Sequence, residues 1–252
     1  MTNRLKAIRI TFEIVEALSE LDGAGVSELA YAIDRPVSTV HDHLKSLEEL
    51  EYLVQHESEY HVGTKFLEIG QRELHQKRFY KIAKPEIVQL AEETGEFAGL
   101  MIEEHNLGVM LHSHKGDNAV DIRSFPGERM PLHSLAAGKV ILAHLPEERR
   151  AEIIDKNELP AITEETITDP STLREELLII RERWFALDQG ERIEDVRTLA
   201  APIFDEVGAI VASIAIAVPI HRMDENEFIE SMSNPVMRTA IIGGANLKYA
   251  DA

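Results

Sequence analysis

Within residues 4–20 (RLKAIRITFEIVEALSE), Leu5, Ile8, Phe12, Val15 and Leu18 recur at helical spacing and predict an amphipathic helix with these five on one stripe. Gly23 and Gly25 break the pattern, and Val26–Ile33 reads as a short second helix. Asp34-Arg35-Pro36 then forms a turn, with Asp34 expected as the N-cap and Pro36 in the first turn of a third helix, Pro36–Leu50. That helix has an apolar stripe of Val37, Val40, Leu44 and Leu47. Its opposite face shows Arg35, Ser38, Asp42, Lys45 and Glu49, with Thr39, His41 and Ser46 on the flanks. Tyr52–Val54 and Tyr60–Val62 are β-prone and flank a polar stretch, His56–Glu59, so they read as the two strands of a wing.

From Thr64 to about Glu93 the helical pattern returns until Gly95, long enough for one helix that closes the first domain and one that leads to the next. Beyond Gly95, Met101–Ile102 and Val109–His112 read as strands, and Leu132–Leu145 and Pro170–Trp184 as helices. Val196–Phe204 and Ile210–Pro219 read as the arms of a hairpin around Asp205–Gly208, and Asn226–Asn246 as a closing helix. The expected fold class is α+β, with an N-terminal winged helix-turn-helix over 1–66, linker helices over 67–94 and an α/β domain over 95–252.

Composition narrows the function. With 44% hydrophobic residues in 252, the chain can build a real core in each of two domains. The absence of cysteine removes disulfides, thiolate metal sites and a cysteine nucleophile, and suits a reducing cytoplasm. The longest mostly apolar run, Ile210–Ile220, falls short of the roughly 20 residues a bilayer span requires, and MTNRLKAIRI lacks the apolar region of a signal peptide. A soluble cytoplasmic protein without membrane contact is expected.

Charge points the other way from DNA. The net charge is −19, and Lys, at 10, is scarcer than Arg, at 16. Phosphates attract cations, so such a balance opposes nucleic-acid binding unless salt screens it. In a salt-loving host at about 1 M salt the Debye length is only ~3 Å. An ordinary acidic cytoplasmic protein is the other reading.

Three short helices followed by a β-ribbon meet the requirement for a helix that enters the major groove while two others support it from behind. The first two turns reach base edges, which selects Arg35, Ser38, Thr39, His41, Asp42 and Lys45 as DNA-binding candidates. Arg35 and Lys45 suit phosphates or guanine, and Asp42 suits a cytosine amino group. Residues 1–66 hold 6 Lys and Arg against 12 Asp and Glu, so the same surface also suits a protein-binding module or a scaffold that no longer binds DNA.

Enzymatic readings find little support. His112 and His114 share a strand face, but a metal site needs further ligands that nothing in the sequence fixes nearby. His133 and Ser134 lack a G-x-S-x-G elbow and a third member. Gly243-Gly244 lies in the last helix and marks a kink or cap rather than a phosphate loop, and neither Walker A nor G-x-G-x-x-G occurs. No catalytic residue, metal or cofactor is expected.

The segment RPVSTVHDHLKSLEELEYLV (35–54), followed by YHVGTKFLEIG (60–70), resembles the recognition helix and wing of the IclR family of regulators. PLHSLAAGKVILAHLPEE (131–148) and RWFALDQGERIEDVRTLAAPIFDEVGAIVASIAIAVP (183–219) resemble that family's C-terminal domain. The resemblance spans nearly the whole chain in order. It implies a GAF-like C-terminal domain that binds a small organic acid, a sugar-derived or an aromatic metabolite and changes operator affinity. It also implies homodimers, or dimers of dimers, on palindromic double-stranded DNA.

The resemblance further implies an effector site. Backbone amides of Ala136 and Ala137, before Gly138-Lys139, would meet a ligand carboxylate, since amides at a helix N-terminus donate to an anion. The same residues also suit a tight turn opening a core helix. Asp188 matches an acidic pocket position, though it also suits the turn Leu187–Gly190. Thr198 stands where many members have Cys. Ala215 and Ala217 share a strand face where members that bind small acids carry two serines, so either a larger or more apolar ligand or an empty, ligand-independent domain is expected in place of a small polar acid. Met130 and His133 complete the candidate lining.

Overall fold

The computed structural model describes residues 5–156 and 158–249 and divides the chain into two compact units, 1–76 and 77–252. The boundary falls inside the stretch expected as linker helices. Arg4, the first residue of the expected first helix, lies outside the described residues.

The first unit contains α1 (Lys6–Leu21), α2 (Val26–Ala32), α3 (Val37–Glu49), the strands β1 (Leu53–His56) and β2 (Glu59–Val62), and α4 (Lys65–Gln76). Its core joins Ile14 and Leu18 of α1, Leu29 of α2, Val40, Leu44 and Leu47 of α3, and Leu53 and Tyr60 of the ribbon. The stripe expected on α1 is corrected here. Leu18 is in the core and Val15 packs against it, as expected, but Ile10 and Ile14 complete the core line, while Leu5, Ile8 and Phe12 are 72%, 55% and 52% exposed. The helix has two apolar lines, and spacing alone cannot say which one the other helices cover. Val37 is likewise exposed rather than part of the α3 core stripe.

Asp34 is not the cap of α3. It has a left-handed φ of 51°, and Pro36 occupies the N-cap position with no side-chain cap bond. The wing is tighter than expected. His56 pairs with Glu59, leaving a two-residue tip in which Glu57 takes φ 55°. At its base, Gly63 donates to the Tyr52 carbonyl at 2.7 Å, and a Cβ on Gly63 would lie 2.9 Å from that oxygen. Glycine there lets the ribbon close.

In the second unit, α5 (Arg78–Thr94) precedes an antiparallel pair, β3 (Phe97–Glu104) and β4 (Leu107–Lys115). Next come β5 (Arg129–Pro131), α6 (Ala136–His144), α7 (Glu147–Lys156), α8 (Pro170–Arg183), β6 (Ala186–Gln189), β7 (Val196–Phe204), β8 (Ile210–Pro219) and α9 (Glu225–Tyr249). The six strands form one sheet in the order β5-β4-β3-β8-β7-β6, antiparallel throughout. Asp169 caps α8 by accepting from the Thr172 backbone N–H at 2.8 Å, with Pro170 opening the helix. The Ser171 hydroxyl, followed by the Thr172 amide, holds the Asp169 carboxyl down at about 2.

Strand alternation assigns the two faces of the sheet. The Ser213 hydroxyl donates to the Ala137 carbonyl at 2.9 Å, so Ser213, Ala215 and Ala217 face α6. Ile214, Ile216 and Val218 point the other way and are fully buried, which the packing of α9 on β7 and β8 accounts for. Near its end, α9 comes so close to β7 that a Cβ on Gly244 would lie 2.9 Å from the Phe204 carbonyl oxygen. Gly244 lies inside α9 and is therefore no cap but a point of close approach.

The single helix expected over Leu132–Leu145 is two pieces. Leu132–Ser134 form a 3-10 turn, Leu135 is extended, and α6 begins at Ala136. The turn folds back over the first turn of α6 so closely that a Cβ on Gly138 would overlap the Leu132 carbonyl oxygen. The short strands β5 and β6 and the helix α7 have no counterpart in the sequence reading.

Candidate functional site

The outward side of α3 is open. Arg35, Ser38, His41, Asp42 and Lys45 are exposed, and Thr39 is half-buried beside them. The cations on this side already have acidic partners. Arg35 Nη2 donates to Glu13 Oε2 of α1 at 2.9 Å, and Lys45 Nζ donates to Glu48 Oε2 at 2.8 Å. Lys45 also lies over the Tyr60 ring of the wing, 5.9 Å from its centroid, and its hydrogen bonds to Glu48 and Tyr60 raise its pKa. Asp42 stands 3.8 Å from His41 Nδ1. Behind this side, Thr11 Oγ1 of α1 and His43 Nδ1 of α3 lie 2.9 Å apart, fastening the helix to its support.

The second unit holds a narrow cavity between the sheet and the start of α6, with about 560 Å³ of atom-free space including its mouth. Ala137, Asp188, Thr198, Ala215 and Ala217, all expected there, line it together. Asp188 and Thr198 are register partners on β6 and β7, which brings them side by side. Their neighbours Gln189 and Arg197 point to the other face, where Arg197 Nε donates to Gln189 Oε1 at 2.6 Å. The remaining wall is mostly apolar, with Phe97 and Met101 from β3, Met110 from β4, and Ile122, Ile193 and Val196. Two polar residues absent from the sequence reading, Ser124 and Arg192, also line it. They converge on Glu128, Ser124 Oγ at 3.0 Å and Arg192 Nη2 at 2.7 Å.

Three expected residues are elsewhere. Met130 and Ala136 are buried in the core cluster and do not line the cavity. His133 is buried beside a different depression, where its Nε2 donates to the Pro160 carbonyl at 3.0 Å. Ser134 Oγ donates to the Pro131 carbonyl at 3.0 Å, so neither member of the superficial Ser–His pair addresses the other. Among the described residues, no group of three or more His, Cys, Asp or Glu is arranged to hold a metal. His112 packs edge-on against Tyr80, at 6.1 Å between centroids, and burial lowers its pKa.

Behind the cavity wall lies a buried charge cluster. The Lys139 ammonium of α6, 1% exposed, donates to Glu191 and lies 4.0 Å from Glu176 of α8. Asp188 is 3% exposed, and its Oδ1 accepts from the Glu191 backbone N–H at 2.7 Å. Burial, and after it the Glu191 carboxylate, pushes the Asp188 carboxyl up to about 7. Burial also raises Glu191, against the opposing pull of Lys139. Hydroxyls of Thr163 and Thr166 donate to the Glu191 carbonyl, at 3.1 and 2.6 Å, and fix the loop that carries Glu191 just beyond β6.

The lining residues missed by sequence reasoning come from segments that meet only in the folded sheet. Phe97 and Gly99 sit on β3, which pairs with β8 so that Gly99 faces Ala215 and Phe97 faces Ala217. That pairing joins positions more than a hundred residues apart, and periodicity carries no signal for it.

A winged helix-turn-helix with an open third helix, joined to an α/β unit with an apolar, acid-bearing cavity, defines a ligand-sensing DNA-binding regulator. Residues 71–241 match the family described as "Bacterial transcriptional regulator IclR C-terminal", and residues 7–57 the "IclR helix-turn-helix domain". The chain belongs to the IclR family. It is 32% identical to the HTH-type transcriptional regulator BhcR of Paracoccus denitrificans over 94% of its own length and 85% of that protein's. The crystal structure of the Thermotoga maritima IclR is 30% identical, covers 97% of this chain and 98% of its own, and superposes with a TM-score of 0.77. An IclR homologue from Microbacterium hydrocarbonoxydans, crystallised with 4-hydroxybenzoate, shares the fold at 21% identity and a TM-score of 0.82, over 96% of this chain and 98% of its own. The chain is accordingly a DNA-binding transcription regulator with an effector-binding C-terminal domain, and its named relatives are regulators rather than enzymes.

Proposed function

We propose that α3 reads operator DNA through Arg35, Ser38, Thr39, His41, Asp42 and Lys45, and that the cavity of the second unit takes a carboxylate with an apolar, aromatic-sized body. The observation that carries the ligand class is the cavity lining. Ala215 and Ala217 stand where hydroxyls would favour a small polar acid, and Phe97, Met101 and Met110 surround them. Methionine side chains adapt to the shape of an apolar ligand. The N-terminus of α6 at Ala137 supports the carboxylate, since its amides and dipole favour an anion.

The protein acts on DNA as a homodimer. Leu5, Ile8 and Phe12 form an exposed apolar line on α1 that a second copy would cover, and two copies place two recognition helices on a palindromic operator. We read its place of action as the cytoplasm, where the DNA is. Among the described residues no helix is long and apolar enough to cross a membrane. The net charge of −19 fits a salt-rich interior, where screening lets an acidic surface approach phosphates.

4-Hydroxybenzoate, named with the Microbacterium structure, is of the proposed ligand class and is the first molecule to test. It should raise the melting temperature of the full chain, because a ligand of the native state stabilises it. It should also change the affinity for DNA from upstream of the chain's own gene. If neither it nor related aromatic acids moves the melting temperature while pyruvate or glyoxylate does, the ligand class is wrong.

A further inference from the structure

The cavity and the charge cluster behind it share one residue, Asp188. Asp188 lines the ligand space, and its carboxyl accepts from the Glu191 amide at 2.7 Å and also interacts with the Gly190 amide. The charges that face it come from every side. From α6, Lys139 is bonded to Glu191. From α8, Glu176 lies 4.0 Å from the same ammonium and accepts from Arg183 at 3.1 Å. From the loop before α8, Glu165 adds to the negative charge felt by Glu191. At the cavity wall, Arg192 is bonded to Glu128 at 2.7 Å. Among the described residues, no Lys or Arg is within ion-pair distance of Asp188, and the second oxygen of Glu191 is buried without a hydrogen bond. The cluster therefore holds more carboxylates than cations before any ligand arrives.

An anionic ligand adds another negative charge to this enclosed apolar space. Two carboxylates a few ångströms apart out of water do not both stay ionised, so one takes up a proton. We propose that Asp188 enters the ligand complex as a carboxylic acid, taking one proton from solvent and giving it as a hydrogen bond to a carboxylate oxygen of the ligand. The site then selects carboxylates by an acid donor on one side and the amides at the start of α6 on the other. The inference rests on the proposed ligand class. The position of the Asp188 carboxyl, already pushed up to about 7 by burial and by Glu191 before the ligand's charge is added, accords with it.

The test is calorimetry of benzoate binding to the full chain from pH 6 to 9, at each pH in two buffers of different ionisation enthalpy. Benzoate is ionised throughout. Above neutrality one proton should be taken up per benzoate bound, and the Kd should then rise about tenfold per pH unit. Asp188→Asn keeps a donor without a titration. It should bind benzoate with a Kd that stays flat across the range and with no proton uptake. Glu191→Gln frees Lys139 to neutralise Asp188, and should move the pH at which affinity begins to fall downward. This second variant decides the matter if the first does not fold.

A flat Kd with no proton uptake in the wild type overturns the inference, and so does an unchanged pH dependence in Asp188→Asn. Absence of benzoate binding at every pH overturns the ligand class itself, and the inference with it.

Discussion

Asp188 is costly to the fold, and the proposed ligand complex would make use of it. In the unfolded chain its carboxyl titrates near the ordinary value of ~3.9, whereas in the folded protein burial lifts it to about 7. Between these values the folded state holds more protons, so the stability owed to this group is present at low pH and is lost as pH rises through about 7. Urea titrations should show the wild type falling behind Asp188→Asn between pH 5 and pH 8. A constant gap between the two would mean that Asp188 titrates normally. Lys45 lies at the other site. Its pairing with Glu48 and its place over Tyr60 hold an ammonium at the open side of α3. Replacing it with Glu should weaken operator binding by about tenfold or more and lower the slope of log affinity against log salt by about one, because one phosphate contact is lost. The melting-temperature rise produced by 4-hydroxybenzoate should be unchanged. Equal loss of both responses would remove Lys45 from the DNA face.

Among the elements, the ones legible in the sequence were those whose own residues decide them. Val196–Phe204 and Ile210–Pro219 read as strands because they are largely apolar runs on either side of the turn residues Asp205–Gly208. Pro170–Trp184 read as a helix, and the structure ends it one residue earlier, at Arg183, with Trp184 in a left-handed cap. The misreadings share a different cause, tertiary contact. The wrong stripe was favoured on α1 because both lines are apolar and only the neighbours choose between them. The segment 132–145 is split because Leu132 packs on Gly138. Met130, His133 and Ala136 belong to core or to another depression because the sheet, not the local pattern, sets which positions reach the cavity. Two glycines make the argument testable. Gly138→Ala would press a methyl against the Leu132 carbonyl and should cost about 3 kcal/mol, within the range of severe overpacking. Gly70 sits in α4 with nothing within 4 Å of an added Cβ, so Gly70→Ala should stabilise by about 0.5–1 kcal/mol through helix propensity. Denaturant midpoints of the two variants should move in opposite directions.

For the whole molecule, the contradiction between an acidic surface and a DNA-binding role is resolved locally rather than globally. The net charge of −19 repels the duplex at long range, yet Arg35 and Lys45 stand on the open side of α3, each paired with a carboxylate that a phosphate would have to displace. Salt weakens these internal pairs and the long-range repulsion together, while it also weakens phosphate contacts. Binding therefore depends on shape and base contacts more than in a basic regulator, which places the weight of the account on where α3 lies. Because the chain has no cysteine, Ser38→Cys creates a unique thiol on that helix, and a DNA-cleaving iron chelate attached to it reports its position. On DNA from upstream of the chain's own gene, the account predicts cuts clustered in the major groove at two half-sites whose centres lie about 10 base pairs, or a multiple of that, apart. Uniform or absent cutting by a chain that still binds the fragment would show that α3 does not read the operator.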